Sequence, residues 1–134
     1  MRCLGFSLLL LAAVLVLPWS VFAQDGALTV TEIAITTRIV RGNPVDAVRR
    51  ISSSAVRDLY CFTKITATDD AERQIIHVWY HEDEVVARCV LPVRGTSWRT
   101  YSKKTIASGM EGNWRVEVLD TEGNLLKTIK FRWN

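Results

Sequence analysis

The sequence lacks most of the signatures by which a chain declares its chemistry. There is no GxSxG elbow, HExxH pair, phosphate-cradling P-loop or Gly-rich dinucleotide fingerprint. The usual hydrolase, zinc-protease and nucleotide readings therefore have no residues to rest on. CxxC spacing is also missing, and two cysteines far apart fall short of the four ligands of a structural zinc. No internal repeat or low-complexity tract occurs, no twin-arginine pair precedes the N-terminal apolar run, and no long helical period follows the first two dozen residues. A basic stripe is absent as well: 17 basic residues stand against 14 acidic ones, interspersed along the chain. That balance is too mild to imply nucleic acid as a partner.

One long apolar run is present, at the start. Arg2 gives a short positive leader, Leu8 to Leu17 is unbroken apolar sequence, and Pro18 ends it before Val21-Phe22-Ala23. This is the three-part pattern of a cleaved secretory signal, with the cut expected after Ala23. An uncleaved anchor is the alternative, but spanning a bilayer takes roughly 20 apolar residues and this run is nearer a signal core in length. Cys3 precedes the run, so lipidation has no cysteine where it would need one. The expectation is a signal-peptide helix over 1–23, in contact with the membrane only in transit, and one exported domain over 24–134, periplasmic or secreted.

Without Arg2, 16 basic residues face 14 acidic ones, a net charge of +2, and the even pair Cys61 and Cys89 remains. In an exported protein such a pair can form a disulfide. Both cysteines sit in apolar, strand-like stretches, so two buried thiols are an equally ordinary reading.

Short β-rich runs separated by turn signals dominate the rest. Leu28–Val40 reads as a strand closed by Gly42-Asn43-Pro44, and Val45–Ser54 as a polar connector with room for one helical turn. Val56–Thr66 is a second strand, with Tyr60 and Phe62 on one side and Leu59, Cys61 and Ile65 on the other. Gln74–His81 and Glu84–Val93 form a hairpin about Glu82-Asp83. Trp98–Ile106 follows, then Asn113–Asp120, where Trp114, Val116 and Val118 alternate with Arg115 and Glu117. Leu125–Trp133 puts Leu125, Ile129, Phe131 and Trp133 on one face. Six or seven such strands predict an all-β fold, a small antiparallel β-sandwich of immunoglobulin-like form. A closed small barrel is the alternative.

Two segments combine residues suited to binding. In His77-Val78-Trp79-Tyr80-His81 a strand places His77, Trp79 and His81 on one face. A two-residue loop at Glu82-Asp83 would set Arg88 opposite His77 and Val86 opposite Trp79. His77 and His81 lie over ~10 Å apart on a strand, too far to share one metal ion. In Ser97-Trp98-Arg99-Thr100-Tyr101-Ser102-Lys103-Lys104, rings, cations and hydroxyls interleave. Rings stack on sugars and guanidinium forks onto oxyanions. The plain structural reading makes Trp79, Trp98 and Tyr101 core residues and the charges a solvated edge. Ser102 and Lys103 point to opposite faces of a strand, so they are no nucleophile pair.

Four segments in this order, Leu59-Tyr60-Cys61-Phe62-Thr63, His77-Val78-Trp79-Tyr80, Trp98 to Lys104 and Gly112-Asn113-Trp114-Arg115-Val116-Glu117-Val118, resemble a bacterial family of exported or membrane-associated proteins, the Domain of Unknown Function family 2914. The likeness extends through Gly123 and Phe131, over nearly all of the expected exported domain. It implies a small domain, sometimes attached to other modules, with no established activity, and it transfers no catalytic residue.

The sequence thus predicts an exported binding or interaction module, not an enzyme, with no cofactor and no metal. Its expected partner is an envelope glycan or an anionic protein, held by His77, Trp79, Arg88, Trp98, Arg99, Tyr101, Ser102 and Lys103. The alternatives are a cell-wall-active hydrolase, which a pocket joining His77 to a carboxylate and a hydroxyl would favour, and a purely structural assembly domain marked by an exposed apolar patch.

Overall fold

The computed structural model describes residues 26–52 and 57–134. The signal helix expected over 1–23 and the cut expected after Ala23 lie outside the described residues. Ten strands follow in order: β1 Leu28–Thr36, β2 Ile39–Val40, β3 Asn43–Pro44, β4 Arg50–Ile51, β5 Arg57–Ala67, β6 Arg73–His81, β7 Glu84–Val93, β8 Ser97–Ile106, β9 Gly112–Asp120 and β10 Leu125–Trp133. β1-β5-β8 form a three-stranded sheet, β4-β10-β9-β6-β7 a five-stranded sheet, and β2-β3 a small hairpin. Pairing is antiparallel except between β4 and β10, which run parallel. No helix among the described residues is long and apolar enough to cross a membrane.

The period-two pattern decides which side chains enter the space between the sheets. Ile35, Leu59, Cys61 and Ile106 come from the smaller sheet. Ile51, Trp79, Trp114, Val116, Phe131 and Trp133 come from the larger, and all ten form one buried cluster. Ile65, Ile75, Val93 and Val118 close a second cluster beside it. Trp79 meets Phe131 edge-on at 6.3 Å, and Phe131 stacks on Trp114 at 5.8 Å. Burying each such side chain is worth roughly 1.5–3 kcal/mol, so this seam holds the sheets together.

Three local expectations are corrected. The strand expected over Leu28–Val40 stops at Thr36, where the Asp46 carboxylate accepts hydrogen bonds from the Thr36 hydroxyl at 2.5 Å and the Thr37 hydroxyl at 2.6 Å and turns the chain. The connector expected to hold a helical turn instead carries β4, whose Ile51 packs beside Trp133. Leu125, expected on the inner face, is exposed, because the β10 register shifts between Leu125 and Lys127.

The β6–β7 hairpin turns on Glu82 and Asp83, both at positive φ (48° and 67°), a conformation that L-residues adopt at a cost. That cost is offset by ties to the next strand pair. Glu82 Oε1 accepts from the Asn113 backbone N–H at 2.7 Å, the Glu82 N–H donates to the Asn113 carbonyl, and Asp83 pairs with Arg115.

Gly112, at φ +124°, makes this closeness possible, since a Cβ there would stand 1.9 Å from Glu82 Oε1. Gly123, at φ +86°, has open space around it. Gly112→Ala is therefore expected to lower stability by about 2–3 kcal/mol and Gly123→Ala by about 1 kcal/mol in denaturant titrations. Glu82→Ala, which removes the obstructing carboxylate, should narrow the gap between them.

Candidate functional site

β6 and β8 carry most of the residues singled out from sequence, and the sandwich sends them to three places. His77 and Trp79, on β6, point into the interior, as does Ser102 on β8. Trp98 is half-buried at the rim of the second cluster. Arg99, Tyr101 and Lys103 alternate with these and point outward from the three-stranded sheet. Arg88, on β7, is exposed on the far side of the five-stranded sheet. The eight residues expected to share one binding face do not share one.

The separation of Arg88 from His77 has a local cause. The register runs His81 to Glu84 and Tyr80 to Val85, then shifts, so that Trp79 faces Ala87 and His77 faces Cys89. Val86 is the extra residue of a β-bulge. A bulge changes which side chains share a face beyond it, so Arg88 turns outward while Ala87 and Cys89 turn in.

Inside the sandwich the polar residues satisfy one another. The Trp79 indole N–H donates to Ser102 Oγ at 2.9 Å, Ser102 Oγ lies 2.7 Å from His77 Nδ1, and His77 Nε2 lies 3.2 Å from Thr63 Oγ1. A neutral imidazole has one N–H, so it donates to one hydroxyl and accepts from the other. The described residues leave no buried side-chain polar atom without a partner. The network spans both sheets: Thr63 and Ser102 from β5 and β8, His77 and Trp79 from β6. Burial pushes the His77 pKa down to about 4, so the ring is neutral at ordinary pH. His81 stacks on Trp114 at 4.7 Å, and its Nε2 sits 2.8 Å from the Glu111 carbonyl.

Cys61 and Cys89 are both free, the second of the two readings that the sequence left open. Cys61 lies opposite Ser102 in one sheet and Cys89 opposite His77 in the other. Burial, with Cys89 in reach, raises the pKa of the Cys61 thiol, so it stays protonated and poorly nucleophilic.

The outward half of β8 gains neighbours that the sequence reading left out. Tyr60 stands opposite Lys103, Phe62 opposite Tyr101 and Lys64 opposite Arg99. Tyr60 and Tyr101 meet edge-on at 5.8 Å, and Tyr101 is 46% exposed. Lys103 Nζ approaches Asp58 at 3.9 Å, Lys64 stands opposite Glu32 of β1, and Arg99 has no ion pair among the described residues. The result is an outer face with two tyrosine rings and three cations around a buried Phe62, with Asp58 and Glu32 beside the lysines. The period-two rule applied to Val56–Thr66 would have placed Lys64 beside Tyr60.

A groove of about 790 Å³ runs along the outer face of the five-stranded sheet, lined among others by Tyr80, Arg115, Glu117, Lys130 and Arg132. A second hollow of about 490 Å³ lies at one end of the sandwich, between Arg73, Arg94 and Glu122. His77 lines neither.

The interior network generates two expectations. Ser102→Ala leaves the Trp79 N–H and the His77 Nδ1 side without partners, and is expected to cost about 2–4 kcal/mol, read by chemical denaturation. The His77 pKa is lower in the folded chain than its ordinary 6.5. Below pH ~6.5 the unfolded chain therefore takes up a proton that the folded chain refuses. Stability should fall as pH drops from about 6.5 to about 4, by on the order of 3 kcal/mol from this group. Denaturation at a series of pH values should show this slope in the wild type, and His77→Gln should lack His77's share of it.

Among solved structures, an immunoglobulin-like protein from Pseudomonas aeruginosa aligns with a TM-score of 0.54 at 8% identity, over 80% of this chain and 96% of that one. The alkylpurine DNA glycosylase AlkC of Pseudomonas fluorescens, solved with DNA containing an abasic-site analogue, aligns with a TM-score of 0.53 at 12% identity, over 81% of this chain but only 30% of the enzyme. At such identities the likeness shows the immunoglobulin-like fold alone. No curated protein matches the sequence. The family match covers residues 72–133, which is β6 to β10. The Leu59–Thr63 segment, to which the sequence reading extended the likeness, stands before it. Residues 72–133 match the model of the family described as Protein of unknown function (DUF2914).

Proposed function

We propose that this protein is a binding module, not an enzyme, and that it takes an acidic glycan on the outer face of the three-stranded sheet. The observation that carries the reading is the Tyr60–Tyr101 pair, set among Lys64, Arg99 and Lys103 on the outer side of the sheet, with Tyr101, Arg99 and Lys103 exposed. Ring faces pack against sugar carbons, and the cations complement carboxylate or phosphate substituents. The N-terminal sequence, read as an export signal, makes envelope polymers the sensible source. The binding residues in this reading are Arg99, Tyr101 and Lys103, joined by Tyr60 and Lys64. His77, Trp79 and Ser102 hold the sheets in place beneath them, and Arg88 lies on another face.

The hydrolase alternative draws no support from His77, which contacts two hydroxyls and no carboxylate in a sealed interior. The assembly alternative has one observation in its favour: Val85 and Val90, on edge strand β7, are 53% and 55% exposed. Edge strands with exposed apolar side chains are templates for pairing with another chain.

Affinity electrophoresis through polygalacturonate, with dextran as the neutral control, tests the proposal. The wild type is expected to be retarded by the acidic polymer only. Tyr101→Ala and Arg99→Ala should each weaken binding about tenfold while thermal unfolding stays near that of the wild type. Equal mobility in both gels, or retardation that survives both substitutions, would overturn it.

A further inference from the structure

The parallel pairing of β4 with β10 produces a charge arrangement that folding alone does not favour. Arg50 lies directly beside Arg132, and Ile51 beside Trp133. Ile51 and Trp133 point into the core, so Arg50 and Arg132 share the outer face. Like charges side by side on a sheet are destabilising. Arg49 is drawn to the same place, because the Arg132 N–H donates to the Arg49 carbonyl at 2.9 Å. Lys130, two residues along β10, points outward beside them. Arg49, Lys130 and Arg132 all line the groove of about 790 Å³.

None of these four cations has an acidic partner among the described residues. Arg132 is instead held by neutral groups: its Nε donates to Asn134 Oδ1 at 2.8 Å and an Nη donates to Asn113 Oδ1 at 2.9 Å. Two amides fix the guanidinium without neutralising it and leave further N–H donors free. The acids of the groove are engaged at its other end. Glu117 bonds the Arg115 guanidinium at 3.1 Å, Asp83 pairs with the same group, and Glu82 accepts from the Asn113 backbone. Arg115 also lies over the Tyr80 ring at 3.8 Å. The groove is thus polarised, with compensated charge toward the β6–β7 turn and uncompensated positive charge toward β4.

We propose that the β4 end of this groove is an anion seat for ligands carrying clustered phosphate-type oxyanions. Guanidinium groups fork onto such oxygens, and a ligand there relieves the Arg50–Arg132 repulsion. One seat holds one phosphate, and Lys130 with Arg49 extends the positive field to its neighbours. The chemistry fits a soluble oligophosphate or a phosphodiester headgroup at a membrane surface. The site lies on the opposite sheet from the tyrosine face and does not depend on it.

The test measures binding of tripolyphosphate to the purified protein by calorimetry at low salt, with inorganic phosphate alongside, and flotation with phosphatidylglycerol or phosphatidylcholine vesicles. Tripolyphosphate is expected to bind at least tenfold more tightly than inorganic phosphate and to weaken steeply with added salt. Arg50→Gln and Arg132→Gln should each reduce binding about tenfold, and Arg99→Ala should leave it unchanged. Binding to phosphatidylglycerol vesicles alone, lost in the same two variants, would support the seat and assign it to lipid headgroups. Arg50→Gln alters an exposed side chain, so it tests the seat even where Arg132→Gln fails to fold. Absence of binding to both probes overturns the proposal, as does binding that survives Arg50→Gln or falls equally with Arg99→Ala.

Discussion

The hydrogen-bonded bridge from Thr63 through His77 to Ser102 and Trp79 constrains everything around it. Four polar side chains from three strands sit where apolar contact is the rule, and burying any of their groups unpaired costs about 1–3 kcal/mol. Each is paired only when β6 of one sheet lies in a single position over β5 and β8 of the other. The aromatic seam of Trp79, Phe131 and Trp114 supplies the cohesion. Apolar packing tolerates small slides, whereas hydrogen bonds of 2.7 to 3.2 Å do not. The network is therefore what fixes the two sheets in register.

That register dictates the outer surfaces. Because Ser102 is inward, Tyr101 and Lys103 are outward, and because Thr63 is inward, Lys64 joins Arg99 on the same face. The tyrosine-and-cation surface follows from the polar network by the period of the strand. The five-stranded sheet has its own outward pattern, and there the bulge at Val86 and the parallel addition of β4 break the regular alternation. Each irregularity moves an arginine: Arg88 away from the interior and Arg50 alongside Arg132.

Much of the fold was legible in the residues. The alternation of Trp114, Val116 and Val118 with Arg115 and Glu117, the turn signals and the absence of helical period led to an antiparallel sandwich, and the sandwich is what forms. The site was legible only in fragments. Arg99, Tyr101 and Lys103 were read together and do stand together, since they are neighbours on one strand. His77 and Trp79 were grouped with them because aromatic and imidazole side chains suit both a ligand and a core. Sequence holds no term for which sheet face is covered. Arg88 was misplaced because a hairpin register counted outward from a turn fails at the first bulge, and the Glu82-Asp83 turn sits only a few residues from one.

By itself the sequence determined the strand class, the alternation along each strand and the family likeness over β6 to β10, because these depend on residues close together in the chain. Only the tertiary structure decided which face was inside, that Cys61 and Cys89 are free thiols, and that Arg50 lies beside Arg132 some 80 residues later. Those outcomes depend on strand order and on the packing of one sheet against another. Contacts of that kind are set by the whole chain collapsing at once, and no local pattern records them.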